Sequence, residues 1–241
     1  MRLLTTAAAM CLGTAALADD VAYDVDGVEH TGYFAGAEDP QGAVLIVHDW
    51  NGIDDYERGR ADMLAEMGYD AFVLDMYGAD TEVGTTELNR AATTELRDDR
   101  ETMRSLIQAG IEAANGETDA ENMVVMGYCF GGGVALEMAR SDFADQAVGY
   151  ASFHGSLGTP EGQSYAEGVP PLLIMHGGGD TSVTLQDLNG LMQELESASA
   201  TYTAEVYAGA PHGFTEPGES YQERADVESW DAFSDFLEEN I

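Results

Sequence analysis

Short apolar runs alternate with amphipathic stretches along most of the chain. The apolar runs predict buried strands at residues 43–47, 71–74, 123–126, 148–153 and 172–175, and the alternating pattern at 202–207 predicts a further strand. Helical spacing is found at 56–67, 86–114, 132–140, 185–197 and 225–237. This alternation predicts an α/β fold with a mostly parallel central sheet and helices on both faces.

The beginning of this pattern differs from the rest. Asp26-Gly27 is a two-residue turn signal between Val- and Tyr-bearing arms, so residues 21–34 predict an N-terminal antiparallel hairpin, with His30 on its exposed side. At the other end, the last helix is expected to bury an apolar face made of Val227, Trp230, Phe233, Phe236 and Leu237.

The first 18 residues have the features of a signal peptide. A positive start at Met1 and Arg2 is followed by an apolar stretch, and Ala16-Leu17-Ala18 fits the small-x-small cleavage rule. We therefore expect a cut after Ala18, an exported protein (periplasmic or extracellular), and one domain over residues 19–241. A frayed amphipathic start is the alternative. No later stretch is long and apolar enough to predict a membrane span.

Charge excludes several classes of partner. The chain has 45 acidic and 9 basic residues, a formal net charge of −36, and every base is arginine. Such a chain repels nucleic acid and anionic membranes, so the expected partner is a small molecule, and a monomer is expected. The acidic excess indicates either an ordinary solvated surface or adaptation to high salt.

Chemistry is concentrated around a single thiol. The mature chain would keep only Cys129, which excludes an internal disulfide and any multi-cysteine zinc site. Residues 127–132, Gly-Tyr-Cys-Phe-Gly-Gly, lie between a predicted strand and a predicted helix and have the form of a nucleophile elbow with Cys in place of Ser. A tight strand-to-helix turn would present the sulfur at the helix N-terminus, where the helix dipole favours a thiolate.

A base and an orienting acid follow in the order that such a nucleophile requires. Asp180 follows the strand at 172–175, and His212 follows the strand at 202–207. The carboxyl ends of parallel strands converge on one crevice, so both side chains are expected beside Cys129. The alternatives are a structural thiol, a plain turn aspartate and a loop histidine. His48, His154 and His176 are expected to be structural or pocket-lining, without a metal.

These motifs resemble the dienelactone hydrolase family of α/β-hydrolases. The resemblance covers nearly the whole mature chain and rests on residues 47–52, 75–78, 127–132, 152–155, 212–215 and Asp180. It implies a hydrolase that cleaves a carboxylic ester or lactone through a Cys129-His212-Asp180 triad and an acyl-enzyme, without a cofactor or a metal. It also implies an oxyanion hole made by the backbone N–H groups of Trp50 and Phe130.

Three further positions bear on control and specificity. Asp49 stands where the family commonly has a Glu that controls the resting thiol. Ala79 and Glu216 stand where dienelactone-specific members hold a substrate carboxylate with arginines, so a neutral ester or lactone is expected here. Tyr77 and Phe153 are expected to line the substrate pocket, with core packing as the alternative. A non-catalytic binding protein and a thiol-based redox protein are the rival functions.

Overall fold

A computed structural model describes residues 17–241. Its eight strands are β1 (Leu17–Val25), β2 (Val28–Gly36), β3 (Ala43–Val47), β4 (Asp70–Leu74), β5 (Met123–Tyr128), β6 (Gly149–Phe153), β7 (Leu172–Gly177) and β8 (Tyr202–Tyr207). Its six α-helices are α1 (Asp55–Glu66), α2 (Thr86–Asp98), α3 (Arg100–Glu117), α4 (Phe130–Ala139), α5 (Leu185–Ser197) and α6 (Glu223–Asn240). The remainder of the predicted leader lies outside the described residues.

All eight strands form one sheet in the order β1-β2-β4-β3-β5-β6-β7-β8. The six strands from β4 to β8 in this order are parallel, and β1 and β2 are antiparallel to their neighbours. This confirms the predicted fold class. The hairpin turn has φ values of +52° at Asp26 and +89° at Gly27, the combination that a two-residue turn with the twist of a hairpin requires.

The sheet separates two apolar layers. On one face, β-strand residues such as Leu45 pack with α2, α3, α4 and α5, and on the other, residues such as Ile46 pack with α1 and α6. Because both faces are covered, the central strands are buried along their full length, which explains their unbroken apolar sequence. The long helical pattern is divided at Asp99, which ends α2 and caps α3.

Two expectations about individual side chains are wrong. Val227 is 53% exposed, because it lies on the side of α6 that faces solvent and not on the side that packs against the sheet. His30 is buried instead of exposed: its ring stacks on Tyr23 at 5.5 Å, and its Nδ1 lies 3.0 Å from the Asp75 carbonyl oxygen. The hairpin joins the sheet through β4, and the segment after β4 covers this histidine.

Candidate active site

Cys129 lies at a strained turn between β5 and α4. Its φ of +48° and ψ of −106° belong to a conformation that non-glycine residues rarely adopt. Glycines on either side make this turn possible. A Cβ on Gly131 would lie 2.2 Å from the Val47 carbonyl oxygen, and one on Gly127 would lie 2.3 Å from the Gly131 backbone. The elbow motif is therefore a steric requirement of the turn, and it holds the thiol at the N-terminus of α4.

Asp180 and His212 reach this thiol from the ends of two other strands. Nε2 of His212 lies 3.0 Å from the Cys129 sulfur, and Nδ1 lies 2.7 Å from Oδ2 of Asp180. The other carboxylate oxygen of Asp180 accepts the backbone N–H groups of Ser182 and Val183, at 2.7 and 2.9 Å. Since a carboxylate can only accept, His212 carries its proton on Nδ1 and leaves Nε2 free to accept the thiol proton.

The groups around the Cys129 sulfur act on its pKa in opposite directions. Burial raises the pKa of the Cys129 thiol to about 12, and the carboxyls of Asp49 and Glu216 add to this rise. The backbone N–H of Phe130 and the guanidinium of Arg97 lower the pKa of the thiol. The rise is the larger effect, so the surroundings of the sulfur favour the thiol over the thiolate.

The carboxyls of Asp49 and Glu216 lie beside this thiol, and the buried carboxyl of Glu57 interacts with both of them. Asp49 is 2% exposed, and burial and the neighbouring Glu216 carboxyl raise its pKa to about 8. Burial and the charge of Asp49 likewise raise the pKa of Glu57 to about 8. Glu57 accepts the backbone N–H groups of Asp49 and Asp54, at 3.2 and 3.1 Å, which ties the loop after β3 to the start of α1. The raised pKa of Asp49 favours the protonated form of this carboxyl near neutral pH.

The two expected oxyanion donors lie on different parts of the chain, one at the start of α4 and one in the loop after β3. Phe130 is the first residue of α4, and its N–H faces Cys129. Trp50 follows β3 and lines the same cleft as the thiol. Its carbonyl accepts the hydroxyl of Tyr77 at 3.0 Å, and within residues 17–241 its N–H has no hydrogen-bond acceptor. The Trp50 amide is thus available to a ligand, and the Phe130 amide already points to the sulfur.

The cleft above Cys129 has a volume of about 460 Å³. Its lining includes Asp49, Trp50, Arg90, Thr93, Arg97, Ser182, His212, Gly213 and the segment from Glu216 to Ser220. Phe153 is not part of it: this side chain is 1% exposed and packs between Tyr128 and Phe233, because its β6 position faces the α6 layer. Tyr77 also lies outside the lining, but it supports Trp50 from behind through its hydroxyl.

The remaining histidines support the site from within the core. His154 adopts φ +40° and packs edge-on against His212, with 5.4 Å between the ring centres. Its Nε2 lies 2.9 Å from the Thr215 hydroxyl. His48 and His176 are also buried. Residues 17–241 contain no group of three or more His, Cys, Asp or Glu side chains placed to hold a metal.

The sequence analysis did not identify Arg90 and Arg97 as site residues. Both lie on α2, whose polar pattern predicts a surface helix, and no motif marks them. Only the packing of α2 against the sheet brings this face to the thiol. In the described part of the chain, no helix has the length and apolarity needed to cross a membrane.

Residues 30–241 match the model of the dienelactone hydrolase family. A protein of Saccharolobus solfataricus is 25% identical over 259 aligned residues, which cover 90% of this chain and 97% of that protein. The carboxymethylenebutenolidase of Rhodococcus opacus is 26% identical over 210 residues, covering 81% of this chain and 80% of that enzyme.

Solved structures agree with this match. A dienelactone hydrolase-like promiscuous phosphotriesterase from metagenomic libraries superposes with a TM-score of 0.85 at 26% identity, covering 94% of this chain and 99% of that one. The fold is thus that of the α/β-hydrolases, and the activity class is hydrolysis of a lactone or ester. The chain belongs to the dienelactone hydrolase family.

Proposed function

We propose that this protein cleaves a carboxylic ester or lactone by transferring the acyl group to Cys129. The observation that carries the proposal is the continuous line from the Cys129 sulfur through His212 to Asp180, with contacts of 3.0 and 2.7 Å. A nucleophile, a base and an orienting acid in this arrangement are the parts that acyl transfer needs.

The first half of the reaction forms an acyl-enzyme. Nε2 of His212 takes the thiol proton as the sulfur attacks the carbonyl carbon, and Asp180 stabilises the imidazolium that results. The negative charge on the carbonyl oxygen is held by the N–H groups of Phe130 and Trp50, each such donor being worth about 3 kcal/mol in typical cases. When the C–O bond breaks, His212 returns its proton to the alcohol oxygen.

The second half returns the enzyme to its resting state. His212 takes a proton from water, the resulting hydroxide attacks the thioester carbon, and the carboxylic acid leaves as the C–S bond breaks. The sulfur recovers its proton from His212. A thiol with a raised pKa suits this cycle, because the thiolate forms only when His212 and the substrate are both in place.

Hydrolysis of a short-chain aryl ester tests this proposal. We expect Cys129→Ala to lower kcat/KM by at least about 1,000-fold, because the variant keeps the oxyanion donors but has no nucleophile. Mass spectrometry of wild-type protein quenched during turnover should find one acyl group on Cys129. Equal rates for wild type and Cys129→Ala would contradict the proposal, and peroxide consumption without ester cleavage would favour a redox protein.

We also propose that the protein is exported. The support is the leader pattern of residues 1–18, with its positive start, apolar stretch and small residues at the cut. The molecular mass of the protein recovered from outside the cytoplasm tests this. Cleavage after Ala18 would leave a chain that begins at Asp19. A full-length mass would contradict it.

A further inference from the structure

A second cavity lies on the other side of α2 from the cleft above Cys129. It has a volume of about 450 Å³ and is enclosed by the β1–β2 hairpin, the segment 76–81 after β4, α2 and the first turns of α3. We call this cavity the hairpin pocket. It shares no lining residue with the cleft, because Glu95 and Leu96 of α2 face the pocket and Arg97 faces the cleft. A molecule bound in the hairpin pocket would therefore be distinct from the substrate at Cys129.

The opening of the hairpin pocket carries negative charge only. Five exposed acids and no arginine belong to its lining: Asp26, Asp80, Glu95, Asp99 and Glu101. Within residues 17–241, none of the five forms an ion pair, although Asp99 accepts the N–H and the hydroxyl of Thr102 as the cap of α3. Neighbouring carboxylates are common on a chain of net charge −36, so this rim alone does not indicate a ligand.

The buried ring of His30 gives the independent indication. This side chain is 3% exposed and lines the pocket, and its Nδ1 lies 3.0 Å from the Asp75 carbonyl oxygen. Since a carbonyl can only accept, the neutral ring carries its proton on Nδ1 and keeps a lone pair on Nε2. Nε2 has no hydrogen-bond partner within residues 17–241, and it is not sealed from the pocket that the ring lines. An acceptor in this position lacks a donor that a ligand can supply.

One class of ligand satisfies both features. A metal ion does not, because residues 17–241 contain no group of three or more His, Cys, Asp or Glu side chains placed to hold one. A protonated amine brings positive charge to the acidic rim and an N–H donor to Nε2, and the apolar lining, which includes Met76, Leu96 and Leu106, suits a hydrocarbon body. We propose that the hairpin pocket binds a primary organic ammonium, whose N–H donates to Nε2 of His30 and whose apolar part packs on these side chains.

Three probes of similar shape separate charge from hydrogen bonding. They are 2-phenylethylammonium, the neutral 2-phenylethanol, and trimethyl(2-phenylethyl)ammonium, which keeps the charge but has no N–H. Calorimetry at pH 7.5 and low ionic strength should find one site per chain for the primary ammonium. We expect its Kd to be at least about tenfold lower than that of either other probe, because only this probe combines the charge with the N–H donor. Equal Kd values for the ammonium and the alcohol would overturn the proposal.

Variants then assign the affinity to the pocket. Asp80→Asn and Glu95→Gln should each raise the Kd of the primary ammonium about threefold, the usual effect of one exposed charge. Asp231→Asn, which removes a charge from the exposed side of α6, is the matched control and should leave this Kd unchanged. His30→Phe keeps an aromatic ring beside Tyr23 but has no acceptor, so it should abolish most of the preference for the primary over the trimethylated probe. Equal effects of Glu95→Gln and Asp231→Asn would show attraction to the whole acidic surface and overturn the site.

Histidine resonances locate the ligand in the wild-type protein, without a buried substitution. The chain has five histidines, so ¹⁵N-histidine labelling gives a small set of ring signals. The free protein should show His30 with its proton on Nδ1, and 2-phenylethylammonium should shift its Nε2 signal while leaving those of His212 unchanged. A shift at His212 in place of His30 would put the amine in the cleft and overturn the proposal. This readout does not depend on ester hydrolysis, so it separates the hairpin pocket from the catalytic proposal.

Discussion

At the residue scale, the unusual feature is an acid facing an acid next to the Cys129 thiol. The resemblance would place a carboxylate at position 49 and a guanidinium at position 216, and this chain has Asp49 and Glu216. Burial, together with the repulsion between these two neighbouring carboxyls, raises the pKa of Asp49 to about 8. Negative charge beside Cys129 therefore increases as the pH rises through this value, because the Asp49 carboxyl loses its proton.

Replacing Asp49 with Asn tests this electrostatic coupling. Asn imitates the protonated acid at every pH, so Asp49→Asn should react with iodoacetamide at the wild-type rate near pH 6. Near pH 9 it should react faster, by up to about tenfold, because wild-type Asp49 is then ionised and holds the pKa of the thiol up.

The control for this experiment is Asp231→Asn, on the exposed side of α6, which removes the same charge far from the thiol. A constant ratio between the Asp49 variant and wild type from pH 6 to pH 9 would show that Asp49 does not titrate in this range. The rate of alkylation, followed by the mass of the modified protein, is the measurement.

At the element scale, the β5–α4 elbow depends on close backbone approach. Gly131 belongs to α4 but lies against β3, with room for hydrogen only. Helical glycine is ordinarily a weakness, since it costs about 1 kcal/mol relative to alanine. Here that cost is offset by the contact that brings the start of α4, and with it Cys129, onto the sheet.

Two Gly→Ala substitutions in helices should therefore change the free energy of unfolding in opposite directions. Gly131→Ala should lower the free energy of unfolding by at least about 3 kcal/mol, because its Cβ would lie 2.2 Å from the Val47 carbonyl oxygen. Gly190→Ala, in α5, should raise it by about 0.5–1 kcal/mol, because nothing lies within 4 Å of its Cβ. Urea unfolding measures both, and equal effects would contradict the steric account.

At the scale of the whole molecule, charge dominates. A net charge of −36 on 241 residues causes a self-repulsion that opposes the compact state, and dissolved ions screen this repulsion. Few ion pairs offset it, because the chain has nine bases and three of the paired arginines share one carboxylate, Glu137.

We expect the melting temperature to rise steadily from low ionic strength to about 1 M sodium chloride, where the screening length falls to about 3 Å. Sucrose at matched osmolality is the control, since it stabilises by exclusion without screening charge. Calorimetry measures both series. A flat melting temperature in salt would contradict adaptation of this surface to saline conditions and leave an ordinary solvated one.

A feature could be predicted from the sequence when the interactions that form it are local in the chain. The strands at 43–47 and 202–207 and the helix at 185–197 were predicted with their observed bounds, because periodicity and caps are local. Cys129, Asp180 and His212 were predicted to meet because strand order brings the carboxyl ends of parallel strands together. Phe153 and His30 were misplaced, because their burial depends on which layer covers each face of the sheet.

The sequence by itself determined the α/β alternation, the hairpin turn and the residues able to act as nucleophile, base and acid. All of these depend on residue type and on neighbours within a few positions. Only the tertiary structure decided that the carboxyls of Asp49 and Glu216 interact beside Cys129 and that Arg90 and Arg97 of α2 line the cleft that contains the thiol. These contacts join segments far apart in the chain, and their charges interact through distance and burial, which no local pattern records.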